Sequence, residues 1–87
     1  NQFFLKQNYP NPFNSTTLIQ YKLAKGDHVS LKIYNVSGQE VRTVIDKFQT
    51  AGQYTAQFRA DGLPSGLYFY QLQAGDFVET KRMVLLK

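Results

Sequence analysis

The chain has 87 residues, 43% of them hydrophobic and 15% Phe or Tyr, with neither cysteine nor tryptophan. A chain of this length closes one hydrophobic core, and without cysteine it builds no disulfide framework, thiolate metal site or cysteine nucleophile. Its formal charge of +4, ten Lys and Arg against six Asp and Glu, is scattered along the sequence, which fits a solvated surface better than the one-sided footprint needed for nucleic acid.

Taken in order, the first feature is Asn8-Tyr9-Pro10-Asn11-Pro12-Phe13-Asn14. Its two prolines bar a continuous ladder and bias Tyr9 and Asn11 toward extended geometry. With Tyr9 and Phe13 as apolar anchors, it is expected to be an ordered turn tucked over one end of the fold. Thr17 to Leu23 then alternates, with Ile19, Tyr21 and Leu23 toward the core. Val29, Leu31 and Ile33 repeat the pattern, and Asn35-Val36-Ser37-Gly38 makes a tight reversal. In Glu40 to Gln49 the residues Val41, Val44, Ile45 and Phe48 stand at helical spacing. The density of β-branched residues in Val41-Arg42-Thr43-Val44-Ile45 favours a strand there nonetheless. Tyr54, Ala56 and Phe58 mark another half-buried strand. Leu67 to Ala74 has aromatics on both faces at its start, as a central strand would, and Phe77 to Leu86 closes the series as an edge whose Lys81-Arg82 guards against pairing with another chain.

Turn residues at Gly26-Asp27, Ser37-Gly38, Gly52, Asp61-Gly62, Pro64-Ser65-Gly66 and Gly75-Asp76 punctuate these runs about every ten residues, the rhythm of an antiparallel sandwich. The expected fold is therefore an all-β, immunoglobulin-like antiparallel β-sandwich of about seven strands. Ile19, Tyr21, Leu31, Ile33, Val41, Tyr54, Phe58, Tyr68 and Tyr70 should contribute to its core. No run approaches the roughly 20 apolar residues of a membrane helix, so no membrane insertion is expected. Since the sequence opens at Asn1 without a charged leader, residues 1–87 read as a single domain cut from a larger chain.

Candidate chemistry is sparse. His28, the only histidine, follows Gly26-Asp27 as a surface turn residue and has no Ser–His–Asp partners in the sequence. The six acids stand singly, without a calcium loop or His partners for zinc. No metal, cofactor or catalytic residue is assigned. Asn14-Ser15-Thr16 and Asn35-Val36-Ser37 match the glycan-acceptor pattern but read as turns. The aromatics could form a stacking platform, although without tryptophan they fit a core better.

The series Leu5 to Thr17, which contains Tyr9-Pro10-Asn11-Pro12-Phe13-Asn14, then Ile19-Gln20-Tyr21, Val29 to Asn35, Gly38 to Val41, Gly52, Ser65 to Leu72 and Lys81 to Lys87, resembles the type A C-terminal sorting domains of the bacterial type IX secretion system. The likeness covers essentially the whole chain. Ser15 stands where many members carry proline. Immunoglobulin-like domains of flagellar hook-capping proteins share the Ile33-Tyr34-Asn35, Gly38-Gln39 and Ser65-Gly66-Leu67-Tyr68 elements, but the apolar, basic-ended tail favours the sorting family.

The resemblance implies a tag on an upstream cargo domain of the same exported polypeptide. The cargo would reach the periplasm by an ordinary signal, be carried across the outer membrane by the type IX machinery, be cleaved by its sortase-like peptidase, and end in the medium or on the cell surface. It also implies that the machinery reads Lys81, Arg82, Met83, Val84, Leu85, Leu86 and Lys87, while Tyr9, Pro10, Asn11, Pro12, Phe13, Asn14, Gly38, Gly66 and Tyr68 are structural. The tail is expected to offer unpaired edge backbone to a receptor groove; otherwise Val84 and Leu86 simply close the core. Alternatives are an immunoglobulin-like spacer or an accessory carbohydrate-binding module.

Overall fold

The computed structural model describes residues 2–87, and every regular element in them is a strand. The strands are β1 (Phe4–Leu5), β2 (Thr16–Leu23), β3 (Asp27–Tyr34), β4 (Glu40–Gln49), β5 (Gly52–Arg59), β6 (Gly66–Ala74) and β7 (Phe77–Leu85). They form two antiparallel sheets, one ordered β1-β2-β5 and the other β4-β3-β6-β7. A constant-type immunoglobulin domain pairs its fourth strand with the fifth. Here β4 pairs with β3, so the Thr50-Ala51 link crosses between the sheets.

Period-2 patterning decides which side of each strand meets the core. Thr17, Ile19, Tyr21 and Leu23 of β2, Val29, Leu31 and Ile33 of β3, Ala56 and Phe58 of β5, and Tyr68, Tyr70 and Leu72 of β6 are all buried. Val41 and Tyr54 are partly buried against them. The aromatics fill the space between the sheets, with Tyr21 stacked on Tyr54 at 5.4 Å and Phe13 edge-on to Phe58 at 6.1 Å. β6 lies inside its sheet and β7 at its edge, as the sequence suggests.

The helical spacing in β4 has a structural origin. Its register against β3 slips twice: Leu31 pairs with Ile45 and Lys32 with Thr43, then Ile33 pairs with Arg42 and Tyr34 with Glu40. The residues skipped are Val44 and Val41. Each is the extra residue of a β-bulge, which breaks the period of 2. Both bulged valines pack against the core beside Ile45, so three core contacts fall at spacings of three and one. At the other end of β4, Phe48 is exposed against Gly26. The reversal into β4 is built on Asn35, whose Oδ1 accepts from the amides of Ser37 and Gln39, and on Gly38 at φ +82°. This is the turn role expected of Asn35. His28 is the second residue of β3, not a turn residue, and its Nε2 lies 2.6 Å from Asp46 Oδ1.

The proline segment departs from expectation in two ways. It does not cap an end of the sandwich but crosses its open side. Tyr9 exchanges backbone hydrogen bonds with Leu18 of β2, and Phe13 forms a parallel bridge to Leu85 of β7. Nor is Tyr9 an anchor: it is 79% exposed, whereas Phe13 is 2% exposed. The pairing with Leu18 holds the Tyr9 backbone on the outer edge of β2 and leaves its ring outside. The second anchor is polar: it is Asn8, buried beside Thr17.

Candidate functional site

β7 and the two residues after it contain the residues assigned to recognition. Strand alternation splits them. Met83 and Leu85 are 0% exposed in the core, opposite Tyr68 and Gly66 of β6. Arg82, Leu86 and Lys87 are exposed, Leu86 at 54%. Val84 is half-buried on the outer face of the sheet, and Lys81 is half-buried with its Nζ 3.2 Å from Glu79 Oε2. The core is thus closed by Met83 and Leu85, not by Val84 and Leu86.

The outward backbone of this strand's C-terminal half is occupied. Gln7 Nε2 donates to Arg82 O at 2.7 Å, Val84 N donates to Asn11 Oδ1 at 2.9 Å, and Phe13 N donates to Val84 O at 2.9 Å. Leu86 N donates to Phe13 O at 2.8 Å and Lys87 N to Ser65 Oγ at 2.9 Å. The expectation of unpaired edge groups at the tail is therefore corrected: the strap of residues 7–13 has already taken the place an added strand would occupy. Sequence alternation could not show this, because the partner lies some seventy residues away.

A buried polar network holds the strap. Asn8, 2% exposed, donates from Nδ2 to Pro10 O and to Thr17 Oγ1, and Thr17 Oγ1 donates to Pro10 O at 2.8 Å. The Asn8 amide donates to the Tyr70 hydroxyl at 2.8 Å, and that hydroxyl donates to Lys6 O at 2.7 Å. Burial pushes the Tyr70 phenol up to about 12, opposed by the hydrogen bond from Asn8. No buried side-chain polar atom among the described residues lacks a partner. Sequence reasoning gives neither Asn8 nor Thr17 a role of its own. The available signal was Thr17 on the same face as Ile19 and Tyr21, because a hydroxyl in an apolar stripe requires a hydrogen-bonding partner.

Of the residues assigned structural roles, Pro10, Asn11 and Phe13 meet the tail or the network directly. Gly66 pairs with Leu85 and Tyr68 with Met83, and the Tyr68 hydroxyl donates to Pro64 O at 2.7 Å. Pro12 is exposed on the strap and Asn14 is exposed just after it, and Gly38 lies apart in the β3–β4 turn. Among the described residues no three of His, Asp and Glu come together as a cation site. The described residues contain no helix long and apolar enough to cross a membrane.

These features define a β-sandwich that holds the C-terminal half of its last strand in a fixed frame, with Met83 and Leu85 inside. Residues 7–86 match the family of secretion system C-terminal sorting domains, a span that begins in the strap and ends in the tail. The chain belongs to that family: it is a sorting domain of the type IX secretion system, the signal that directs an attached cargo through that machinery toward the cell surface or extracellular space. No curated protein and no solved structure matches it.

Proposed function

We propose that residues 1–87 act as one non-catalytic tag, and that the machinery reads the folded end of the tail through side chains, chiefly Arg82, Leu86 and Lys87, within the recognition stretch Lys81–Lys87. The observation that carries this reading is the occupied edge. Backbone addition along residues 82–86 would first have to displace Gln7, Asn11 and Phe13, whereas these three side chains project from a strand whose position is already set. Met83 and Leu85 serve recognition indirectly, by fixing that position from the core. In this scheme the cargo reaches the periplasm first, the machinery engages the tag, and a sortase-like peptidase removes it. The tag itself uses no cofactor and supplies no catalytic group.

The test fuses the domain to a periplasmic reporter in a host with the type IX system. Substituting Leu86→Glu with Lys87→Ala removes exposed groups while Leu85 stays in the core and the amides of residues 86 and 87 keep their bonds to Phe13 O and Ser65 Oγ. Export should fall at least ten-fold with a thermal midpoint close to that of the parent. Unchanged export from a folded variant would remove the tail from the signal and favour the spacer reading. Deleting Val84 to Lys87 is less informative, because losing the buried Leu85 costs about 2 to 5 kcal/mol and unfolding alone would stop export.

A further inference from the structure

The charge that looks scattered in the sequence is segregated by the fold. Residues up to Gly26 together with 50–60, which contain β1, β2 and β5, hold Lys6, Lys22, Lys25 and Arg59 and no carboxylate. The other six cations share the remainder of the chain with all six carboxylates. The whole excess of +4 therefore belongs to the three-stranded sheet and its flanks. None of the ion pairs among the described residues involves Lys6, Lys22 or Lys25. Arg59 meets Asp61 only at 3.6 Å, with both side chains mostly in solvent, a pair of little strength.

The register lays these groups out on the outer face. Lys22 stands between Phe4 and Gln53 in one cross-strand row, and Lys6 beside Gln20 in the next, fixed there by Lys6 N donating to Gln20 O. Gln57 pairs with Leu18 in the third row and Arg59 with Thr16 in the last. Same-face residues recur about every 7 Å along a strand, so a cation or an amide is met at each step across the face. Lys6 Nζ is also 5.5 Å from the centroid of the Phe4 ring, which holds it over the sheet.

We propose that this face binds an acidic polysaccharide, a uronate-bearing glycan lying across β1, β2 and β5. The lysines and Arg59 match its carboxylates. The glutamine amides, each both donor and acceptor, match its hydroxyls. The exposed ring of Tyr9, beside Leu18, offers a surface for one sugar. The amides favour a glycan over an anionic bilayer: three of the row positions hold glutamine, against the two apolar positions Phe4 and Leu18. The proposal is independent of the sorting role, and its test does not read export.

The probe is polygalacturonate, titrated calorimetrically into the 87-residue chain at 50 mM NaCl, with dextran and phosphatidylglycerol-containing vesicles in parallel. Saturable binding to polygalacturonate and none to dextran is expected, weakening roughly ten-fold at 200 mM NaCl. The variant Lys6→Gln/Lys22→Gln/Arg59→Gln should lose at least ten-fold in affinity. A charge-matched control on the other sheet, Lys32→Gln/Arg42→Gln/Lys47→Gln, should lose no more than three-fold. Gln20→Ala/Gln53→Ala, which leaves the charge unchanged, should weaken polygalacturonate binding several-fold without altering vesicle binding. Absent binding, equal losses in the two charge variants, tighter binding to vesicles, or full retention by the amide variant would each overturn the proposal. Thermal melts of every variant accompany the titrations, and the amide variant keeps the test decisive if a triple variant fails to fold.

Discussion

The Tyr70 hydroxyl sits between two backbone groups of the strap, accepting from Asn8 N and donating to Lys6 O. The substitution Tyr70→Phe leaves a buried amide and carbonyl without partners, at a cost of about 1–3 kcal/mol. The phenol also makes stability depend on pH. Its folded value, about 12 because of burial, lies above the unfolded value of about 10. The folded state therefore holds its proton more tightly, and the stability is fully present below pH 10. It is lost as pH rises from 10 through 12, by about 3 kcal/mol in total. Tyr21 is shifted upward too, by burial and against the hydrogen bond to Gln49, and it contributes equally to parent and variant. In urea melts, Tyr70→Phe should thus be clearly less stable than the parent at pH 8, and the gap should narrow by pH 11.5. A constant gap would contradict the assigned cause. Asn8→Ala removes the Nδ2 bonds to Thr17 Oγ1 and Pro10 O but leaves those two groups bonded to each other; at about 0.5–1.5 kcal/mol per bond it should cost about 1–3 kcal/mol at every pH.

At the scale of elements, β7 has two different halves. Its outward amides alternate, and those of Val84 and, just beyond the strand, Leu86 are bonded to Asn11 and Phe13. Val78 and Thr80 lie beyond the strap, where no strand flanks the sheet. Hydrogen exchange read by NMR should find Val84 and Leu86 protected and Val78 and Thr80 fast. Asn11→Ala should accelerate Val84 and leave Leu86 slow, because Leu86 donates to the Phe13 carbonyl. Equal acceleration of both amides would mean that Asn11 holds the whole strap rather than one bond. The bulges of β4 give a second expectation. Deleting Val44, the extra residue, leaves the pairs Leu31–Ile45 and Lys32–Thr43 adjacent in a regular ladder. Its cost, measured by denaturation, should therefore stay close to that of Val44→Ala, which removes the same core contact; a much larger loss would show that the bend made by the bulge is itself required.

For the whole molecule, the scale of stability is about 4 to 13 kcal/mol for 87 residues. Phe13 belongs to the strap yet reaches the shared core against Phe58. Phe13→Ala should cost about 3–5 kcal/mol, a large part of that total. Since the strap joins both sheets, the domain should melt in a single transition by far- and near-ultraviolet dichroism, before and after the substitution. A separate low-temperature transition confined to tyrosine signals would show that the strap opens independently. Melting should be insensitive to a chelator, because the core is closed by apolar and hydrogen-bonded side chains.

The sequence by itself determined the strands, because alternation at Ile19, Tyr21 and Leu23 or at Val29, Leu31 and Ile33 is a property of neighbouring residues. It also determined the turns, because Asn35 and Gly38 act within a few positions of themselves, and the ordered motifs were enough to place the family. Tertiary structure alone decided that Asn8 is buried and Tyr9 exposed, that the edge of β7 is sealed by Asn11 and Phe13, and that the excess positive charge lies on one sheet. Each of these depends on which distant segments meet. Pairing partners some seventy residues apart leave no periodic trace, and the helical spacing in β4, a segment already legible as a strand from its β-branched residues, is explained only by the bulges against β3 that give Val41 and Val44 a place in the core.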